Sequence, residues 1–275
     1  MAIKFVDRVP TRPGRIKITP EDGSNPWYGV MERADEPSVE GTPINAANLN
    51  AIQENQGMSG YMTVYVAPSG SDSLGTGLIT APYATITKAL SVIPKQLNGY
   101  IAMIYIESGA YPEKITINGF SGGTLMLTGV EGASISVSSL SIQHTEMLIF
   151  RNLHFNVVGG DDVLYGVHAT GSCMVVDTGS FSASNASVSG IYAILGATVY
   201  FTNLSISAVG NALTATNGAQ IIVGTLTGTA TESGMRVSGS GRIAFGSSTL
   251  SARTLYVTNS GGRILTGAQT SIPNY

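Results

Sequence analysis

The sequence predicts an all-β fold, a parallel β-helix with three short strands per coil. Three recurring phrases carry that prediction. The first reads "GVHAT" (166–170), "GIYAI" (190–194), "NALTA" (211–215), "GMRVS" (234–238) and "TLYVT" (254–258), returning at similar but unequal intervals. The second reads "SCMVV" (172–176), "ATVYF" (197–201), "AQIIV" (219–223), "GRIAF" (241–245) and "GRILT" (262–266). The third follows as "FSAS" from 181, "LSIS" from 204, "LTGT" from 226 and "LSAR" from 250. Three apolar-alternating runs in constant order, once per roughly 20 to 25 residues, mark a solenoid whose copies stack about 4.8 Å apart. The uneven spacing fits outward turns of different length, which such a stack tolerates. A longer phrase says the same: "IFRNLHFN" (149–156) returns as "YFTNLSIS" (200–207) and "IVGTLTGT" (222–229).

Composition agrees. Charged residues make up 11% of the chain, against about 25% in an ordinary globular domain. Small polar residues interleaved with Val, Ile and Leu suit stacked strands, where Ser, Thr and Asn pair in ladders.

Charge divides the chain in two. Residues 1–57 hold eight acids and six bases, whereas the much longer stretch from Ile115 onward holds six acids, five arginines and no lysine. The N-terminal region, 1–57, is rich in Pro and turn residues. It reads as short strands around Arg15 to Thr19 and Tyr28 to Arg33, then a helix. Thr42 is the N-cap of that helix, Pro43 stands at its first position, Ile44, Leu49 and Ile52 form its stripe, and Gly57 ends it. Its few large apolar residues make a poor independent core, so it gains stability by docking on a partner.

The second region, 58–275, opens with a strand, a Gly/Ser loop and a helix from about Pro82 to Ile93. Ile86, Ala89, Leu90 and Ile93 share one face of this helix, which caps the first coil and protects its edge. "IAMIYIESGAYPEKITI" (101–117) reads as two strands around a turn, and the repeats follow. At the other end "GAQTSIPNY" offers no matching helix, leaving the last coil to be covered by a partner subunit or a short tail.

Several function classes are disfavoured. A net charge of −3 gives no electrostatic case for nucleic acid. No apolar run approaches the roughly 20 residues that span a bilayer. "MAIKFVDRVP" lacks the apolar core of a signal peptide, which points to synthesis in a bacterial cytoplasm without secretory export. Cys173 is the only cysteine, so it forms no intrachain disulfide; in "SCMVV" it reads as a buried structural thiol.

Two stretches resemble known families. "FVDRVPTRPGRIKITPEDG" (5–23) and "YGVMERADEPSVEGTPINAANLN" (28–50) resemble, in the order of their motifs, the N-terminal segment of tail fibre and tail spike proteins. These belong to phages, prophages and phage-tail-like particles of Gram-positive bacteria. "YVAPSGSD", "GTGLITAPYATITKAL" and "GAYPEKITI", between 65 and 117, resemble the entry to the pectin-lyase-like right-handed β-helix common in tail spikes. The resemblance implies attachment to the baseplate or tail through residues 1–57, a homotrimeric β-helix, and location in a virion tail or related particle. It implies host-surface attachment, directly or through a further fibre protein. A carbohydrate-binding spike with polysaccharide depolymerase activity is the alternative.

Chemistry is harder to find. Glycoside cleavage needs two carboxylates about 5 to 9.5 Å apart across a groove. The coils offer Glu131, Glu146, Asp161, Asp162, Asp177 and Glu232. Asp161 and Asp162 sit in the polar turn "VVGGDDVLYG" (157–166) near Tyr165, and these three residues are the candidate glycan or cation contact. Asp177 aligns opposite Arg151 on the adjacent coil and is read as its structural ion-pair partner. His144, His154 and His168 show no metal-ligand spacing, and His154 is read as a surface ladder residue in the place of Ser205. The coil tyrosines available as sugar platforms are Tyr165, Tyr192, Tyr200 and Tyr256, with Tyr192 and Tyr256 on one face but not adjacent. No HExxH, P-loop or CxxC is present. The expectation is a non-enzymatic subunit with no metal or cofactor.

Overall fold

The computed structural model describes residues 15–18, 27–30, 57–158, 164–176, 179–184, 188–208 and 210–267. Contacts divide the chain into Met1–Gln56 and Gly57–Tyr275. In the first unit β1 (Arg15–Ile18) pairs antiparallel with β2 (Trp27–Val30), Arg15 opposite Val30 and Ile18 opposite Trp27. The helix expected between Thr42 and Gly57 lies outside the described residues.

The second unit is the expected parallel β-helix, a solenoid of about seven turns. It starts with β3 (Met62–Val66), α1 (Ile86–Val92), β4 (Ile101–Ile106), β5 (Gly109–Asn118), β6 (Thr124–Gln143) and β7 (Leu148–Val157). It continues with β8 (Tyr165–Thr170), β9 (Cys173–Val176), β10 (Gly179–Ser184), β11 (Ser189–Ile194) and β12 (Thr198–Ala208). It ends with β13 (Asn211–Thr216), β14 (Gln220–Ser238), β15 (Arg242–Thr258) and β16 (Arg263–Thr266). Every ladder between these strands is parallel.

The alternation in sequence becomes columns in space. Met62, Ala102, Leu125, Leu148, Met174, Val199, Ile221, Ile243 and Ile264 lie over one another. Beyond Ala102 the step along the chain is longest from Leu148 to Met174 and shortest from Ile243 to Ile264, yet the column stays continuous. From Ala102 to Ile243 every member of that column is fully buried. A second column runs Ile115, Leu140, Val167, Ile191, Leu213, Met235 and Tyr256. Between them Phe155 and Phe181 stack at 5.3 Å, with Phe150 and Phe201 packed against the pair. Each such side chain, fully removed from water, contributes about 1.5–3 kcal/mol.

Polar residues form the outward ladders. Ser182 Oγ donates to Asn156 Oδ1 at 2.7 Å, and Asn156 Nδ2 donates to Ser134 Oγ at 3.1 Å. His154 is exposed and its Nδ1 lies 2.7 Å from Ser180 Oγ. It is a ladder residue, but the coil partner of Ser205 is Ser182, not His154. The offset lies between coils: Val176 to Phe181 is five steps along the chain, whereas their partners Phe201 and Leu204 are three apart.

One outward column is unexpectedly apolar. Met126, Ile149 and Val175 form a second buried cluster, with Met103, Cys173 and Tyr200 packed against it. Cys173 is therefore part-exposed rather than buried, because it flanks this outer cluster and not the interior.

The second repeated phrase holds register throughout, from Cys173 opposite Thr198 to Arg242 opposite Arg263. The first slips by one residue at two copies: Ser189, not Gly190, lies opposite Asn211, and Val257, not Tyr256, lies opposite Arg236. In the third, Leu226 faces Ser248 while Leu250 faces Gly228, a two-residue offset that keeps Leu250 inward.

The N-terminal end is closed by α1, which buries Ile86, Ala89 and Leu90. The helix starts at Ile86, not Pro82, because Tyr83 is held as a strand: its N–H donates to Tyr65 O and its carbonyl accepts from Ala67 N, both at 3.0 Å. Thr85 is the N-cap, its hydroxyl accepting from Lys88 N at 3.0 Å. Asp72 accepts from Ala84 and Thr85 N–H, and Glu113 from Ile86 and Thr87 N–H, so two carboxylates gather donors at the helix start. No helix among the described residues is long and apolar enough to cross a membrane.

Candidate functional site

The strongest concentration of surface recognition chemistry among the described residues lies where β8 and β11 stack. Their parallel register sets Tyr192 opposite His168. Both are outward positions between buried neighbours, Val167 and Ala169 below and Ile191 and Ala193 above. Tyr165, at the start of β8, stacks on Tyr192 with ring centroids 4.5 Å apart and planes at 24°. His168 lies 5.3 Å from Tyr165 and 5.5 Å from Tyr192. The column changes character on either side: Ser141 is opposite His168 on β6, and Thr214 is opposite Tyr192 on β13. The aromatic surface is thus two coils deep.

A shallow hollow of about 160 Å³ opens beside it, lined by Lys114, Ser139, Leu140, Ser141, Leu164, Tyr165 and His168. Leu164 is 57% exposed, and Val188, whose N–H bonds to Leu164 O at 3.0 Å, is 40% exposed. Aromatic and aliphatic surface here adjoins two serine hydroxyls and a lysine. Asn211, on the rung above Ser189, is buried, and its Oδ1 has no hydrogen-bond partner among the described residues.

Electrostatics favour neutral binding groups. Burial lowers His168 below the usual histidine value, so its imidazole is neutral at pH 7 with one donor and one acceptor nitrogen. Its Nε2 lies 3.3 Å from Thr170 Oγ1. Burial first, and Tyr165 second, raise Tyr192 above the usual phenol value, so its hydroxyl stays protonated. Such a surface offers ring faces to C–H groups and hydroxyls to hydroxyls, which is how a saccharide is held. Among the described residues no group of three or more His, Cys, Asp and Glu comes together.

Of the residues singled out in sequence, Tyr165 stands in this corner. Asp161 and Asp162 lie outside the described residues, as does Asp177. Arg151 is exposed on β7; the ladder beside it sets Phe150 opposite Val176, the residue before Asp177. Tyr256 does not share Tyr192's face, because it occupies the inward column of Met235. Sequence reasoning missed Lys114, Ser139, Ser141 and His168 as neighbours of Tyr165. The pairing of "GVHAT" with "GIYAI" already placed His168 under Tyr192, but nothing local showed that the Tyr165 ring turns onto the same patch.

A larger hollow, about 520 Å³, lies between α1 and β5 and is lined by Pro68, Thr85, Thr87, Tyr111, Pro112 and Glu113 among others. Its chemistry is already committed. Glu113 receives the first amides of α1, and Tyr111 donates to Glu107 O at 2.8 Å. Burial, then Glu107 and Glu113, push the Tyr111 phenol above the ordinary tyrosine range.

Compared with known proteins, the chain matches no family model, no curated protein and no solved structure.

Proposed function

We propose that this chain is a subunit of a tail spike or tail fibre of a phage or phage-tail-like particle. Residues 1–57 attach it to the baseplate or tail, and the β-helix, as a homotrimer, meets the host surface. The observation that carries this reading is the ordered motif series from Arg8-Val9-Pro10 to Gly41-Thr42-Pro43-Ile44-Asn45, set directly ahead of a capped solenoid. The solenoid's sparse charge supports lateral packing of identical chains, since few ions would lose water on assembly. The Tyr165–His168–Tyr192 corner supplies the adhesive contact, with a neutral saccharide face as its ligand.

The test compares the full chain with a chain of residues 58–275, each expressed in the encoding bacterium with its own copy deleted. Particles are induced, purified by density and probed for the chain. The full chain is expected in the particle fraction; the shortened chain is expected folded and soluble but absent from it. Equal incorporation of both would overturn the attachment role.

A further inference from the structure

The two ends of the solenoid are finished differently. At the N-terminal end α1 covers the first coil, where Val64, Val66 and Ile115 are buried and Met62 is part-buried. At the C-terminal end the same inward columns come out into solvent. Tyr256 tops a column whose four preceding members are fully buried, yet it is 44% exposed. Ile264 is only part-buried above a fully buried Ile243, and the neighbouring Leu255 and Leu265, outside the inward columns, are 37% and 38% exposed. The outer edges of β16 and of residues 247–258 of β15 carry no ladder partner among the described residues. An apolar face bordered by unpaired strand backbone is a template for another strand.

Charge says what kind. After Glu232, on the rung below, the sequence contains four arginines and no acidic side chain. Arg236, Arg242, Arg253 and Arg263 are all exposed, and Arg242 and Arg263 stand directly over one another in the ladder. Among the described residues none of the four makes an ion pair. A second copy brought end to end would set arginine against arginine, which a ladder penalises. A strand bearing carboxylates between apolar residues would satisfy backbone, column and charge together.

We propose that this end is a docking site for an acidic, strand-forming segment of another protein, which adds the next parallel or antiparallel rung over Tyr256 and Ile264. The inference rests on the solenoid's end and not on the tail-spike reading, so either can fail alone.

The test uses the full chain and two labelled synthetic peptides, one alternating Glu with Val and one alternating Lys with Val, in fluorescence anisotropy at low and high salt. The acidic peptide is expected to bind, to weaken as salt rises, and to outcompete the basic one. Arg242→Glu with Arg263→Glu, both solvent-facing, is expected to weaken binding about tenfold or more. Lys88→Glu, the same charge reversal at the capped end, is expected to leave it unchanged. Should the double variant fail to fold, the salt dependence and the contrast between peptides decide the matter in the unaltered chain. Equal binding of both peptides, or of neither, overturns the proposal. So does binding of the acidic peptide only to a chain ending at Gly267, which would make residues 268–275 the occupant. Self-association of the chain that the acidic peptide competes away would assign the end to a second copy and also overturn it.

Discussion

Gly228 shows how narrowly single residues are constrained here. Its φ of +123° is one that L side chains rarely adopt, and an added Cβ would run into the carbonyl oxygen of Ile206 on the coil below. Backbone cannot yield as a flexible side chain can. Gly228→Ala is expected to destabilise the solenoid by about 2–4 kcal/mol, read as a fall in urea midpoint; an unchanged midpoint would contradict the close approach. At the candidate site, Tyr192→Ala removes one face of the stacked pair, and binding of labelled host cells is expected to drop about tenfold while the melting temperature barely moves. His168 adds a pH signature. Its folded-state value is depressed below the ordinary 6.5, so the unfolded chain takes up the proton more readily. Stability is therefore full above pH 6.5 and declines as pH falls through and below it. Denaturant titrations at pH 7 and pH 5 should differ less for His168→Asn than for the unaltered chain.

At the level of elements, the cap helix makes the sharpest claim. Its start is fixed by Asp72 and Glu113, which reach it from outside the helix and together accept four backbone amides. Glu113→Ala is expected to cost about 1–2 kcal/mol and to raise amide exchange in 86–92 before the later coils respond. Uniform exchange along the solenoid would remove the helix from the role of cap. The apolar face of α1 was legible because Ile86, Ala89, Leu90 and Ile93 recur at helical spacing. Its first residue was not, because Tyr83 is claimed by Tyr65 and Ala67, a tertiary pairing with no local mark. Likewise the phrase ending in "MVV", "VYF", "IIV" and "IAF" kept register because its strand is fixed by two inward residues flanking one outward. The last copy of the first phrase slips after a bulge between Ala230 and Ser233, which absorbs a residue without altering the alternation. Half of the candidate corner was visible as Tyr165 in a polar turn. Lys114 comes from β5, and Ser139 and Ser141 from β6, so only the coil brings them beside Tyr165.

The second unit, Gly57–Tyr275, is a stack whose described residues are capped by a helix at one end only, and its flanks suit lateral packing. Outward positions are mostly Ser, Thr, Asn and Gly, and the apolar Met126–Ile149–Val175 column is already buried within the chain. Native mass spectrometry of the full chain and of residues 58–275 is expected to give trimers at micromolar concentration; monomers alone would count against lateral assembly. The most direct measurement of the functional account is cryo-electron microscopy of particles purified from the encoding bacterium. Three solenoids of about seven turns are expected to project from the baseplate or tail, with residues 1–57 at the attached end and the Arg263 end pointing outward. Particles that lack the chain, or that hold it by the Arg263 end, would contradict it.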